Sequence, residues 1–372
     1  MAIPIFPLLE KADVLIGVLF AAKAAFQILS SPLAARLVDR RPREMIALGL
    51  ALEAGTVLLF ATAFSYPVWL AARALSGVTS SLIISAGFAH LNGRFSDGDQ
   101  RAVAMGLATT GIVGGVCLGP VLGGTLYQAR PALPFALLAA AELAVALLAW
   151  RCLPGLEGAP AAAGGEAGLG TMARSPEVLR PLGALAAANA AISCLESTVA
   201  RHLREAFGLS AGQVGAAFLL VSGPSCLLSG AAGPLGNRLG RARLVRAGLL
   251  LQGLSTMLGP KSWLWVNLVS FVGIGAGMGA IDGATPSLLG EVASERFGGS
   301  GKIFVLSNVA VQLGFVVGPI LGNSIVGVYG FGVCSVAAGA ALVVYAPIIR
   351  RMSPSSKSSH QTKNAILESA CH

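Results

Sequence analysis

A few ionisable and amide side chains sit where water-soluble chains rarely leave them, inside long apolar runs. Lys23, Arg73, Asn189, Glu196 and Asp282 each interrupt a stretch of Ala, Leu, Val and Gly. A charge held at the centre of a bilayer costs roughly 2.5–3.5 kcal/mol, so each should face a cavity or a partner. Asn189 and Glu196 are seven residues apart, close to two helical turns, which puts both on one face. A carboxyl group sheltered there can exchange a proton for a positively charged solute; the plainer reading is a hydrogen bond to a neighbouring helix. Asp282 follows the run Gly273-x-Gly-x-Gly-x-Gly279 and is the best candidate to carry a proton, with a packing ion pair as the alternative. Lys23 needs an anionic partner, and Asp282 or Glu196 are the candidates. Arg73, just before Leu75-Ser76-Gly77, suits a structural role or a proton relay. Glu53 and Glu142 read as interface or helix-packing residues, and His90 and His202 as histidines near span ends.

The elements that must position these residues follow from composition. The chain has 372 residues, of which 55% are hydrophobic and only 12% charged, with a mean hydropathy of +0.75. Soluble domains carry roughly 25% charged residues. Repeated stretches of ~20 apolar residues predict an all-α, polytopic membrane protein. Eleven spans are expected, at 13–35, 44–64, 67–90, 101–127, 131–151, 181–201, 209–235, 243–259, 262–290, 302–328 and 330–349. They fall into an N-terminal bundle of five (1–152), a cytosolic linker rich in Ala, Gly and Pro (153–180), a C-terminal bundle of six (181–351) and a disordered cytosolic tail (352–372).

An internal repeat organises the spans. Gly115-x3-Gly119-Pro120-x2-Gly123-Gly124 recurs as Gly314-x3-Gly318-Pro319-x2-Gly322-Asn323, 199 positions on, and Ala35-x3-Asp39-Arg40 is echoed by Gly233-x3-Asn237-Arg238 at an offset of 198. Two unrelated motifs with one offset indicate a duplicated half. Span 181–201 is then left without an N-terminal counterpart. Six plus six with the first helix missing is the expected pattern, read as a shortened start in preference to a native eleven-span form.

The formal net charge of +9 is placed for topology rather than for nucleic acid. Alternate loops and the tail hold 19 Lys and Arg residues and the opposite loops five; the richer side should be cytosolic, the C-terminus included. No phosphate-cradling loop supports ATP drive, and the six cysteines lack metal-site spacing. Neither metal nor cofactor is expected.

The basic loop pair and the Gly-Pro motif resemble the major facilitator superfamily, and the Gly-x3-Gly-Pro-x2-Gly-Gly form is similar to that of its proton-coupled antiporters. More specifically, the chain resembles the vesicular amine transporters, which load monoamines or acetylcholine into vesicles. The resemblance is carried by Gly17-Val-Leu-Phe-Ala-Ala-Lys23-Ala24, Ala72-Arg73-Ala-Leu-Ser-Gly77, Asn189-x6-Glu196, Gly279-Ala-Ile-Asp282, Val317-Gly318-Pro319 and Lys363-Asn-Ala-Ile-Leu367. It implies proton-coupled antiport of amines or other organic cations by alternating access, in a vesicle membrane, with a small cationic solute, protons and the lipid bilayer as partners. Asn189 and Glu196 would bind the amine, and Asp282 would titrate. Lys23 would pair with an acid between the halves, and Asn308 and Phe315 would lie on the substrate path. Asp39-Arg40, Asn237-Arg238 and the glycines and prolines of the repeated motif (Gly115, Gly119, Pro120, Gly123, Gly318 and Pro319) would serve conformational change. The chain departs from that family at Asn308, where the family has an aspartate; a neutral amide neither holds nor releases a proton near neutral pH. It departs also at His202 for a tryptophan, at Ser225 for a tyrosine and at Phe315, which lacks a tyrosine hydroxyl. Two alternatives remain: an antiporter of drugs or other organic solutes, and a transport-dead paralogue that acts as a binding protein.

Overall fold

The computed structural model describes residues 13–38, 41–62, 65–94, 98–154, 169–259, 263–297 and 302–349. Their regular structure is helical throughout: α1 (Asp13–Val38), α2 (Pro42–Thr62), α3 (Tyr66–Arg94), α4 (Gly98–Ala129), α5 (Leu133–Cys152), α6 (Leu169–Arg174), α7 (Pro176–Phe207), α8 (Ala211–Leu239), α9 (Arg241–Leu258), α10 (Leu264–Phe297) and α11 (Lys302–Ile349). In hydrocarbon every backbone N–H and C=O must be met within the segment, and a helix does this by itself. Eight of these helices are long and apolar enough to cross a membrane. α6 has only six residues, and the 48-residue α11 is two helices joined at Gly330, whose φ of 82° breaks the ladder. Counting α11 twice and omitting α6 yields eleven helical segments, one at each expected span, with α4 and α9 not among the eight.

Termini follow local chemistry. Ser210 caps α8 reciprocally with Gln213, and Gly208 closes α7 in the left-handed region at φ 68°. Some boundaries differ from expectation: α7 runs to Phe207 and α10 to Phe297, past the expected ends at 201 and 290, and α7 opens at Pro176, inside the expected linker, with the short α6 before it. Proline is well suited to a first helical position, where no intrahelical N–H is needed, and Glu177 beside it meets Arg296 of α10 at 2.5 Å. Residues 155–168, the tail from 350, and Asp39 with Arg40 lie outside the described residues.

The helices form two bundles. In the N half α3 packs on α1 and α2, and α2 on α5; in the C half α7 packs on α11, α8 and α9 on α10, and α9 on α11. The halves meet where α1 lies on α11 and α4 on α8. The C half has the larger core, with Val245, Leu249, Ile281, Leu289, Ile303 and Leu342 fully enclosed. Leu29, Leu148, Leu227 and Val344 stand on the outer faces, where the apolar surface suits lipid.

The repeated motif is used unequally. On α11, Gly314, Gly318 and Gly322 lie hard against Ala186, Ala190 and Cys194 of α7. On α4, Gly115, the counterpart of Gly314, meets nothing within 4 Å, whereas Gly124 at the end of the motif lies hard against Ala211 of α8.

Candidate functional site

α7 carries the polar stripe of the C half. Asn189, Ser193 and Ser197 are buried on it, and the serines satisfy their hydroxyls locally by donating to carbonyls one turn back. Asn189 is 1% exposed. Its Nδ2 donates to the Leu185 carbonyl (2.9 Å) and to Asp282 Oδ1 on α10 (3.2 Å). The glycine run of α10 makes this meeting possible. A Cβ at Gly275, Gly277 or Gly279 would strike the backbone of α8 or α9, so only glycine lets α10 sit so close to both. Gln252 of α9 steadies the other side, donating from Nε2 to the Ala188 carbonyl at 3.0 Å.

Glu196 lies two turns beyond Asn189, half-buried, and Arg73 of the N half is the side-chain charge that acts on it most. Arg73 also stands over the Phe20 ring, 5.4 Å from its centroid, a cation–π contact. Asn189 and Asp282 thus form one hydrogen-bonded pair in the C half, and Glu196, further along α7, feels the charge of Arg73.

Lys23 is placed differently from the sequence expectation. The charges nearest to it are Glu53, Arg73 and Glu142, all in the N half, rather than Asp282 or Glu196. The cause is the crossing of α1 and α3. Gly77 lies directly on the Lys23 carbonyl, where any Cβ would collide, and this brings Lys23 among the polar groups of α2 and α3. Glu53 is the centre of that group. It accepts from Ser76 Oγ (2.6 Å), from Thr79 Oγ1 and from Thr56 Oγ1 (3.4 Å). Glu53, expected only to pack, is therefore tied to α3 through the hydroxyls of Ser76 and Thr79, and Glu142 keeps a buried oxygen, Oε2, without a hydrogen-bond partner. The sequence signal was present in Ser76 and Thr79, hydroxyls three apart on the following span, which can satisfy a carboxylate on its neighbour.

The remaining expected residues are spread more widely. Phe315 is half-buried against the cluster of Ile192, Leu195, Val199 and Phe218. Asn308, two turns earlier on α11, is exposed. His202 stacks on Phe331 with centroids 4.1 Å apart, so it belongs to α11 packing rather than to a span-end surface. The two Gly-Pro motifs form matching joints between the halves. A Cβ at Gly17 would lie 2.5 Å from the Pro319 carbonyl oxygen, and one at Gly215 would lie 2.5 Å from that of Pro120. The glycines are 198 positions apart and the prolines 199, so one contact occurs twice. Of the other motif glycines on α4, Gly119 is half-buried, Gly123 buried and Gly115 exposed.

At the end of α8, Asn237 and Arg238 are exposed. Asn237 Oδ1 accepts from Arg241 at 3.2 Å, and Arg241 pairs with Glu291 at 2.6 Å and donates to the Ser287 carbonyl at 3.1 Å. Arg241, which sequence reasoning counted only for topology, thus pins the α8–α9 turn to α10. Among the described residues no group of His, Cys, Asp and Glu is arranged to hold a metal.

Comparison with known proteins places this geometry. The family model for the Major Facilitator Superfamily matches residues 1–200 and 182–369. The chromaffin granule amine transporter of Homo sapiens is 30% identical over 98% of this chain and 69% of its own length, and that of Rattus norvegicus 29% over 98% and 70%. The vesicular acetylcholine transporter of Homo sapiens is 30% identical over 91% of this chain and 66% of its own. The chain thus spans roughly two thirds of the length of these relatives. Among solved structures, a bacterial homologue of the human lysosomal transporter Spinster in an inward-facing, occupied conformation superposes with a TM-score of 0.78 at 16% identity, covering 95% of this chain and 94% of that one. The human organic anion transporter MFSD10 gives 0.66 at 20% identity, covering 90% and 83%. These two likenesses speak for the fold alone.

Proposed function

The chain belongs to the major facilitator superfamily, a family of transmembrane transporters rather than enzymes, and from that premise we propose that it exchanges protons for an amine or another small organic cation by alternating access, in a vesicle membrane. The observation that carries this reading is the hydrogen bond from Asn189 to Asp282 within the C half, with a second acid, Glu196, two turns along the same helix as Asn189. Two acids within a bilayer-spanning bundle can hold protons or a cation, but not both at full occupancy. A cationic amine arriving at Glu196 competes with the proton there and with the field of Arg73. Asp282, tied to Asn189, is the second group at which a proton can be held. The vesicular amine and acetylcholine transporters among the relatives support amines as the solute class.

The test is uptake of a labelled monoamine into proteoliposomes with an acidic interior. We expect uptake to collapse with the proton gradient and to vanish in Glu196→Gln. A wild type that transports while Glu196→Gln transports equally well overturns the site assignment.

A further inference from the structure

The seam between α7 and α11 holds two groups that the exchange leaves idle. Most polar contacts along it are ordinary hydrogen bonds. Ser193 Oγ donates to the Gly314 carbonyl at 3.1 Å, and Asn323 Nδ2 donates to the Pro319 carbonyl at 2.8 Å and to Ser197 Oγ at 2.7 Å. Between Ser193 and Ser197 on α7 stands Cys194, whose Sγ lies 3.2 Å from Sγ of Cys334 on α11. Both are free thiols, 5% and 1% exposed. Cys334 Sγ also donates to the Gly322 carbonyl at 3.5 Å, and a Cβ at Gly322 would strike Cys194 Sγ, so glycine there makes room for the sulfur. The pair spans a break in α11. Gly322 and Cys334 lie on opposite sides of Gly330, the residue at φ 82°. A Cβ at Gly330 would meet nothing within 4 Å, so glycine is required there by backbone conformation and not by packing. The first limb of α11 is bonded to α7 through Ser193 and Asn323. Just past the break the second limb is bonded instead to α9, where Ser335 Oγ donates to the Thr256 carbonyl at 2.5 Å. There it touches α7 through Phe331 on His202 and Cys334 on Cys194, and neither contact is a strong hydrogen bond.

A lone buried thiol packs as a small hydrophobe. Two thiols in contact have a further chemistry open to them. A disulfide closes at about 2.05 Å, so these sulfurs need approach by only roughly 1.2 Å. We propose that Cys194 and Cys334 form a redox-active dithiol, closed to a disulfide by a small hydroperoxide, and that the bond latches α11 to α7 across Gly330. The burial of both sulfurs selects a small, uncharged oxidant such as hydrogen peroxide over a bulky, charged one such as oxidised glutathione. In the first step one thiol gives up its proton and its sulfur attacks an oxygen of the peroxide. An S–O bond forms, the O–O bond breaks, and water leaves with that proton. The second sulfur then attacks the sulfenic sulfur. The S–S bond forms, the S–O bond breaks, and a second water leaves with the second proton. The two thiols lose two electrons and two protons, and the peroxide is reduced to water. A small dithiol reverses the change by exchange. The bond would tie together two helices that the exchange uses. α7 carries Asn189 and Glu196, and α11 carries Pro319, whose carbonyl faces Gly17 of the other half. The effect on transport, though not the bond itself, rests on the amine reading above.

The test uses the full chain in proteoliposomes, treated with hydrogen peroxide, then denatured, alkylated and mapped by mass spectrometry. We expect a peptide pair joined through Cys194 and Cys334, lighter by two hydrogens than the separate peptides and parted by dithiothreitol. Both cysteines alkylated in full, or joined to other cysteines instead, overturns the proposal. On the same vesicles, uptake of tritiated tyramine should fall about 5-fold or more on oxidation and recover with dithiothreitol. Peroxide should leave uptake by Cys334→Ala unchanged, and Cys194→Ala provides the same comparison if the first variant fails to fold. A bond that forms while uptake stays constant, or a fall in uptake that persists in these variants, overturns the latch and leaves the amine site standing. A reduced wild type that takes up no tyramine counts against the amine reading instead. The latch is then judged on amide hydrogen exchange around Gly330. Slower exchange in the disulfide form upholds it, and unchanged exchange overturns it.

Discussion

The twice-used joint between the halves yields the sharpest prediction. At Gly17 a methyl group would stand 2.5 Å from the Pro319 oxygen, and at Gly215 2.5 Å from the Pro120 oxygen. Ordinary van der Waals contact begins at 3.4 Å, so Gly17→Ala or Gly215→Ala requires each crossing to open by roughly 0.9 Å. The blocking atoms are backbone carbonyls of helices pinned by a proline, so no side chain can swing aside. Overpacking of this kind costs about 1–3 kcal/mol. If that cost falls on the state in which the crossings are closed, its population drops about 5- to 150-fold against the alternative. The measurement is uptake in proteoliposomes beside the thermal midpoint in detergent, with Gly87→Ala and Gly230→Ala as controls, since a Cβ at either meets nothing within 4 Å. Both joint variants should lose transport and stability while the controls keep both. Joint variants indistinguishable from the controls would refute the claim that these glycines set the approach of the halves.

Other outcomes follow from single contacts. Asn189→Ala removes the donor to Asp282 Oδ1 and leaves a mid-bundle acceptor unmet; we expect a loss of about 1–3 kcal/mol, read as a lower thermal midpoint together with weaker amine binding. Arg241→Ala frees the α8–α9 turn from Glu291 and Ser287. Because both charged partners are partly exposed, its stability cost should stay near or below about 1 kcal/mol, while amine efflux, which depends on opening at that end, should quicken. Phe331→Ala removes the ring on which His202 stacks and should lower the thermal midpoint without shifting the pH dependence of transport.

The fold was legible because its signals are periodic and redundant. Apolar runs long enough to span a bilayer mark the helices, and the shared offset of the Gly-Pro and Asn237-Arg238 motifs marks the duplication before any helix is drawn. The site was legible in part. Asn189 and Glu196 lie at helical spacing on one element, so their common face is a property of sequence alone, and Asp282 announces itself as an acid next to a glycine run. The partner of Lys23 was not legible. It depends on the rotation of α1 against α3, which is decided by the absence of a side chain at Gly77, far along the chain. Glu53 was passed over for a related reason: its donors Ser76 and Thr79 belong to the next span and look like ordinary polar residues until the two helices are laid side by side.

The geometry also separates what is symmetric in this protein from what is not. The joints are built from the same parts on both sides, a glycine on one half against a proline-pinned backbone on the other. A contact of that kind has no charge to favour one tilt over its mirror image, so it permits rocking without driving it. The mid-span charges carry no such symmetry. Lys23 and Arg73 belong to the N half, together with Glu53 and Glu142, whereas Glu196, Asp282 and Asn189 belong to the C half. In the proposed exchange, a cation entering between the halves is drawn to the C-half wall and competes there with Arg73. Binding at Glu196 in that exchange changes the attraction between the walls by weakening the pull of Glu196 on Arg73. The backbone supplies a hinge without preference, and the side chains supply the preference that proton or solute can reverse.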